Sequence, residues 1–154
     1  MMEVHEMVAY EARRRVSRPP DMVFDLIGTH VYENHPKWES EVVEIRPLTE
    51  PPVRVGSRAI MVRREYGRRT EVPYEVTEFE QDRKIAFRHI SGQMDFDIAF
   101  VLTPTAEGNS DLVVQIRAEP KGVFRLFTPL VARNLPKTSE RITSQMVALV
   151  ESQR

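Results

Sequence analysis

Several polar side chains of this chain sit at positions that alternate with apolar neighbours. His89 follows Ile85 and Phe87 at two-residue steps, so on a strand it points to the face those residues bury. An imidazole placed there can hydrogen-bond a ligand or exchange a proton with it, because histidine titrates near neutrality and a cavity perturbs that value. The structural alternative is a strand-end histidine satisfied by water or backbone. Arg14 shares the even register of Tyr10, Ala12 and Val16. Pointing inward, its guanidinium can orient a carboxylate or enolate; otherwise it snorkels to solvent, since an unpaired buried charge is very costly. Tyr10 and Tyr74 also fall on apolar registers. Their hydroxyls either meet a ligand or are satisfied by protein and water. The candidates for catalytic work are therefore His89, Arg14 and Tyr74.

Other clusters favour plainer readings. Trp38 is the only indole and follows a polar, aromatic stretch with His30, Tyr32 and His35, which places it at a cavity rim or in the core. His30, Glu33 and His35 match no metal-site spacing, and no metal or cofactor is expected. Arg63, Arg64, Arg68 and Arg69 flank Tyr66-Gly67, interrupted by Glu65 and Glu71, and Arg13-Arg14-Arg15 is split between two faces by its register. Both clusters read as solvated surface. Asp95 and Asp97 occupy the outward register of their strand and are expected in solvent, whereas paired catalytic carboxylates must share a cleft. There is no Cys, hence no disulfide or thiolate chemistry, and no phosphate loop or serine nucleophile elbow occurs.

The elements that must position these residues are legible in the hydrophobic periods. From Val4 to Val16 the even positions Val4, Val8, Tyr10, Ala12 and Val16 are apolar, which predicts a half-buried strand. Ser17-Arg18-Pro19-Pro20-Asp21 predicts a helix start, with Val23, Phe24 and Ile27 at helical spacing and Gly28 as the stop. Thr29 to Trp38 is assigned as a second short helix or tight turn. Alternating runs then follow around Val43 and Ile45, from Ala59 to Tyr66, Val72 to Phe79, Ile85 to Ile90, Phe96 to Leu102 and Leu112 to Ala118, separated by turn signals. These predict antiparallel hairpins. From Val123 the period becomes helical through Phe127, Leu130, Val131, Leu135, Ile142, Met146, Leu149 and Val150, with a start near Thr128-Pro129 or a bend at Pro136.

The chain has 154 residues, 41% hydrophobic and 29% charged, with 22 Lys+Arg against 23 Asp+Glu and a mean hydropathy of -0.40. Its length predicts one domain over residues 1–154. The near-zero net charge provides no bulk attraction to nucleic acid. Residues 98–102 are far too short a run for stable membrane insertion, and the first residues lack signal-peptide character, so a cytoplasmic protein is expected. Nothing in the sequence sets an oligomeric state.

One strand, two short helices, about six antiparallel strands and a long amphipathic helix predict an α+β, helix-grip architecture: a curved seven-stranded antiparallel sheet wrapped around the C-terminal helix. This order resembles the START-like or SRPBCC superfamily, also called polyketide cyclase/dehydrase-like or Bet v 1-like. The resemblance is carried by Ser17 to Ile27, Trp38, Val55-Gly56-Ser57, Tyr74 to Glu80 and Lys121-Gly122, and it spans the chain. It implies a cavity for an apolar ligand between sheet and helix and no shared catalytic motif. The expected lining is Tyr10, Trp38, Tyr74, Phe87 and His89, then Phe96, Phe100, Leu102 and Ile116, with Leu130, Leu135 and Ile142 from the helix. Three functions are open: a carrier or sensor of a small apolar or aromatic molecule, such as a lipid or polyketide; an aromatase/cyclase-type enzyme using His89, Arg14 or Tyr74; or a protein-interaction, co-chaperone-like module. Convergent polar groups in the cavity favour the enzyme, and an exposed apolar patch favours interaction.

Overall fold

The computed structural model describes residues 7–153. Strand β1 spans Val8–Val16; the expected start of that strand, residues 4–6, lies outside the described residues. Helix α1 (Pro20–Phe24) runs into a π-helical turn (Asp25–Thr29) and helix α2 (Val31–Trp38). The strands β2 (Val42–Pro47), β3 (Arg58–Glu65), β4 (Arg68–Glu80), β5 (Lys84–Ile90), β6 (Met94–Pro104) and β7 (Ser110–Pro120) follow. A 3-10 segment (Gly122–Phe127) leads into helix α3 (Thr128–Ser152). The strands form one antiparallel sheet in the order β1-β7-β6-β5-β4-β3-β2, and α3 lies across its inner face, as the hydrophobic periods predict.

Antiparallel register aligns side chains in rows across the sheet. One inner row runs through Ala59, Tyr74, His89, Phe96 and Ala118. The next runs through Val76, Phe87, Ile98, Ile116 and Tyr10, and a third through Phe79, Ile85, Phe100, Val114 and Ala12. The first row therefore carries the inner polar groups and the other two are apolar apart from Tyr10. Helix α3 closes this face with Leu135, Ile142, Met146 and Val150, all buried. It starts at Thr128 with Pro129 in its first turn, where a missing N–H costs nothing, and Pro136 lies within it.

The far end of α3 is tied down. The Arg18 guanidinium donates to the carbonyls of Glu151 (2.8 Å) and Gln153 (3.2 Å), and the Ser17 N–H and hydroxyl both donate to the Glu151 carboxylate (2.9 and 2.8 Å). A cation there complements both the orphan carbonyls and the negative end of the helix dipole.

Two expectations are corrected. Gly28 does not stop the first helix; it lies inside the π turn, closed by the His30 N–H donating to the Asp25 carbonyl at 3.0 Å. A Cβ on Gly28 would stand 2.7 Å from the buried Phe24 ring, so glycine is there to let that ring cross the helix. Asp95 is buried rather than solvated. The Lys121 N–H donates to the Gln93 carbonyl, which draws the chain back over Asp95; the Lys121 ammonium lies 2.9 Å and the Arg88 guanidinium 3.4 Å from its carboxylate. Asp97 remains half exposed beside Arg88.

Candidate functional site

Between the sheet, α2 and α3 lies a small cavity of about 30 Å³, room for one or two water molecules. Phe87, Ile98, Phe100, Val114 and Ile116 form its apolar floor, and Ile142 of α3 closes it. The remaining lining is aromatic or polar: His35, Trp38, Glu39, Tyr74 and His89.

Helix α2 supplies the polar side because its buried face repeats at Val31, His35 and Trp38, with Asn34 beside it. The Asn34 amide donates to the carbonyls of Leu26 and His30, both at 3.1 Å, fixing α2 on the preceding turn. His35 stacks on Trp38 (centroids 5.1 Å, planes 18° apart), and Trp38 meets the edge of Phe100 at 6.0 Å.

The Nε2 of His35 lies 2.9 Å from Glu39 Oε1, and the Arg63 guanidinium donates to Glu39 Oε2 at 2.7 Å. Burial pushes the Glu39 carboxyl up, but the hydrogen bonds and charges of His35 and Arg63 outweigh it and hold the carboxyl at about 2. Ionised, Glu39 can only accept, so His35 donates through Nε2. Its Nδ1 is buried without a partner.

The sheet supplies Tyr74 and His89, adjacent in register with rings 5.2 Å apart edge to face. The Tyr74 hydroxyl is also buried and unpartnered, and burial, with lesser contributions from Tyr32 and Glu33, raises its ionisation far above the usual phenol range. Tyr32 packs edge-on against Tyr74 at 5.9 Å, its own hydroxyl unpartnered. His89 is pushed down to about 3, by burial first and then by the charges of His35 and Arg63 against an opposing Glu39. It is neutral at physiological pH.

Of the residues expected to line the cavity, Trp38, Tyr74, Phe87, His89, Phe100, Ile116 and Ile142 do so. Tyr10 and Phe96 are half-buried on the inner face outside it, Phe96 lying 6.4 Å from the His89 ring. Leu102 and Leu135 are core residues beyond its wall. Leu130 is 54% exposed; at about 100° per residue it falls about 120° round the helix from Ile142. Arg14 points to the helix side but at the edge strand, where its guanidinium donates to Glu140 (2.8 Å) and Ser144 (3.3 Å) of α3 and stops short of the cavity. Trp38 is fully buried lining, not rim.

Sequence reasoning missed Glu39, Arg63 and the role of His35. Arg63 belongs to the set expected in solvent, yet it follows Ala59 and Met61 on the inner face of β3 and its side chain is 20% exposed. The metal candidates are kept apart: His30 faces Asp25 at the surface, Glu33 is exposed and His35 turns to Glu39. Among the described residues no cluster of three metal-ligating side chains forms.

A family model described as polyketide cyclase / dehydrase and lipid transport matches residues 7–151. No curated protein matches the sequence. Among solved structures, that of Ara h 8.0201 superposes with a TM-score of 0.75 at 17% identity, over 96% of this chain and 99% of that one. TTHA0849 from Thermus thermophilus gives 0.71 at 18% identity, over 92% and 96%. The di-domain ARO/CYC StfQ from the steffimycin biosynthetic pathway gives 0.74 at 14% identity, over 94% of this chain and 51% of that one. At such identities these structures share the fold.

Proposed function

The chain belongs to the polyketide cyclase / dehydrase and lipid transport family, and from that premise we propose that it binds a small, largely apolar or aromatic molecule bearing one carbonyl or hydroxyl group. The observation that supports this reading is the pair of orphaned polar atoms, Tyr74 Oη and His35 Nδ1, in the lining of an otherwise mostly apolar cavity. Buried polar groups are ordinarily paired, and a ligand hydroxyl that accepts from Tyr74 and donates to His35 Nδ1 satisfies both, whereas a ligand carbonyl satisfies Tyr74 alone. The free volume of about 30 Å³ holds only water, so admission of a ligand requires α3, which contributes Ile142, to move away from the sheet.

A thermal-shift and native mass spectrometry panel of fatty acids, naphthols and hydroxyanthraquinones, each beside its hydrocarbon counterpart, tests this. A binder raises Tm by mass action. Tyr74→Phe should weaken an oxygenated binder roughly three- to tenfold, the range of one net hydrogen bond, and leave the hydrocarbon unchanged. A panel without any shift, or equal losses for both members of a pair, sinks the reading.

The alternative is a cyclase-like enzyme, favoured by the chain Arg63, Glu39, His35. A carboxylate that fixes an imidazole through Nε2 leaves Nδ1 free to take and return a proton, and Tyr74 is placed to hydrogen-bond a carbonyl in the same cavity. In this reading His35 takes the place expected of Arg14. A substrate whose turnover, rather than affinity, collapses in His35→Gln separates it from carriage.

A further inference from the structure

The stretch from Gly122 to Asn134 is rich in apolar residues, yet none of its side chains is buried; the first buried residue of α3 is Leu135. Val123 is 72%, Leu126 82%, Phe127 52% and Leu130 54% exposed. Large exposed apolar side chains grouped on one segment mark a contact surface. On α3, Leu130, Arg133 and Lys137 follow one another at three- and four-residue steps, an exposed stripe that passes from apolar to basic, and Leu126 lies in the 3-10 segment just before it.

The charge within this segment has one sign. From Pro120 to Ser139 the sequence holds Lys121, Arg125, Arg133 and Lys137 and no acidic residue. Lys121 is used by Asp95. Arg125, Arg133 and Lys137 are exposed and have no carboxylate partner among the described residues.

We propose that this segment is a docking face for an anionic lipid surface, with Val123, Leu126, Phe127 and Leu130 entering the headgroup and acyl boundary and Arg125, Arg133 and Lys137 meeting the headgroup charges. Apolar anchors flanked by unpaired cations match such an interface on both counts. A second copy of the chain is a poor occupant, because a two-fold contact sets the patch against itself and brings like charges together. No described helix is long and apolar enough to cross a membrane, so the segment lies on the surface.

Co-sedimentation of the ligand-free protein with vesicles tests this independently of what the cavity binds. Vesicles of phosphatidylcholine with one-quarter phosphatidylglycerol should retain the protein, pure phosphatidylcholine should retain several-fold less, and raising the salt to about 0.5 M should release it. Leu126→Glu with Leu130→Glu should abolish retention without lowering Tm. Arg133→Gln and Lys137→Gln, which leave the apolar side chains in place, should each weaken it about fivefold. No retention on anionic vesicles, equal retention on neutral ones, or retention unaffected by both sets of variants overturns the proposal. So does a concentration-dependent dimer that the Leu126/Leu130 variant dissociates while vesicle retention is unchanged.

Discussion

Neutral, buried His89 should make the protein acid-sensitive in a defined window. Its folded-state pKa is about 3 against an ordinary value of 6.5. Between those values the unfolded chain binds a proton that the folded protein refuses, so stability falls as pH falls. Each pH unit fully inside the window costs about 1.4 kcal/mol. From pH 7 to pH 5 this amounts to roughly 2 kcal/mol from His89, whereas Glu39, depressed to about 2, contributes only below its ordinary value of 4.5 and is nearly silent there. Urea denaturation of the wild type and of His89→Gln at both pH values isolates the effect, because every other titrating group is common to the two proteins. The variant should lose about 2 kcal/mol less than the wild type over this interval. Equal losses would show that His89 takes up its proton in the folded state, and the geometry argued for its surroundings would fail with it.

Glu39→Gln removes the negative charge and one of the two acceptor oxygens that His35 and Arg63 share and should cost about 3 kcal/mol in urea denaturation, as breaking one side of a largely buried ion pair does. It should also remove Glu39's own contribution to the acid loss between pH 4.5 and about 2, leaving that of His89, because the stability from this carboxylate is present above its unfolded value and disappears below the folded one. Gly28→Ala forces the buried Phe24 ring aside and should cost about 1–3 kcal/mol; an unchanged midpoint would contradict the close approach. Trp38 should emit at short wavelength and resist acrylamide in the ligand-free protein, and a ligand entering the cavity should change its intensity by direct contact; calorimetric binding with constant Trp38 emission would place the ligand elsewhere.

The strands are legible because each inner row alternates with polar positions, and two-residue counting puts even Tyr74 and His89 on the right face. The polar side of the cavity is hidden for two different reasons. Glu39 and Arg63 are 24 residues apart and meet only because the register of β2 with β3 brings the core face of β3 to the end of α2; the step Ala59, Met61, Arg63 does aim this arginine inward, but a cluster of arginines beside a hairpin tip reads as solvated surface and masks it. His35 does carry a local signal, since Val31, His35 and Trp38 are spaced as one helical stripe, but Pro36 and the polar neighbours hide that period. On α3 the stripe itself holds the correction: Leu135, Ile142, Met146 and Val150 set its direction, and Leu130 lies off it.

Helix α3 is secured unequally, with Arg18 and Ser17 bonded to its last turn and no buried side chain in its first two. Local opening free energies follow such asymmetry, so amide hydrogen exchange should slow progressively from Val131 toward Val150 rather than be symmetric about the middle. The helix then behaves as a cantilever, bending away from the sheet at its Thr128 end while its Glu151 end stays fixed. Motion about that fixed end lifts Ile142 from the cavity without breaking the Arg18 contacts. Access to the interior by this route releases Leu135, Ile142 and the Arg14 bonds to Glu140 and Ser144 while the last turn stays docked, a smaller disturbance than undocking the whole helix.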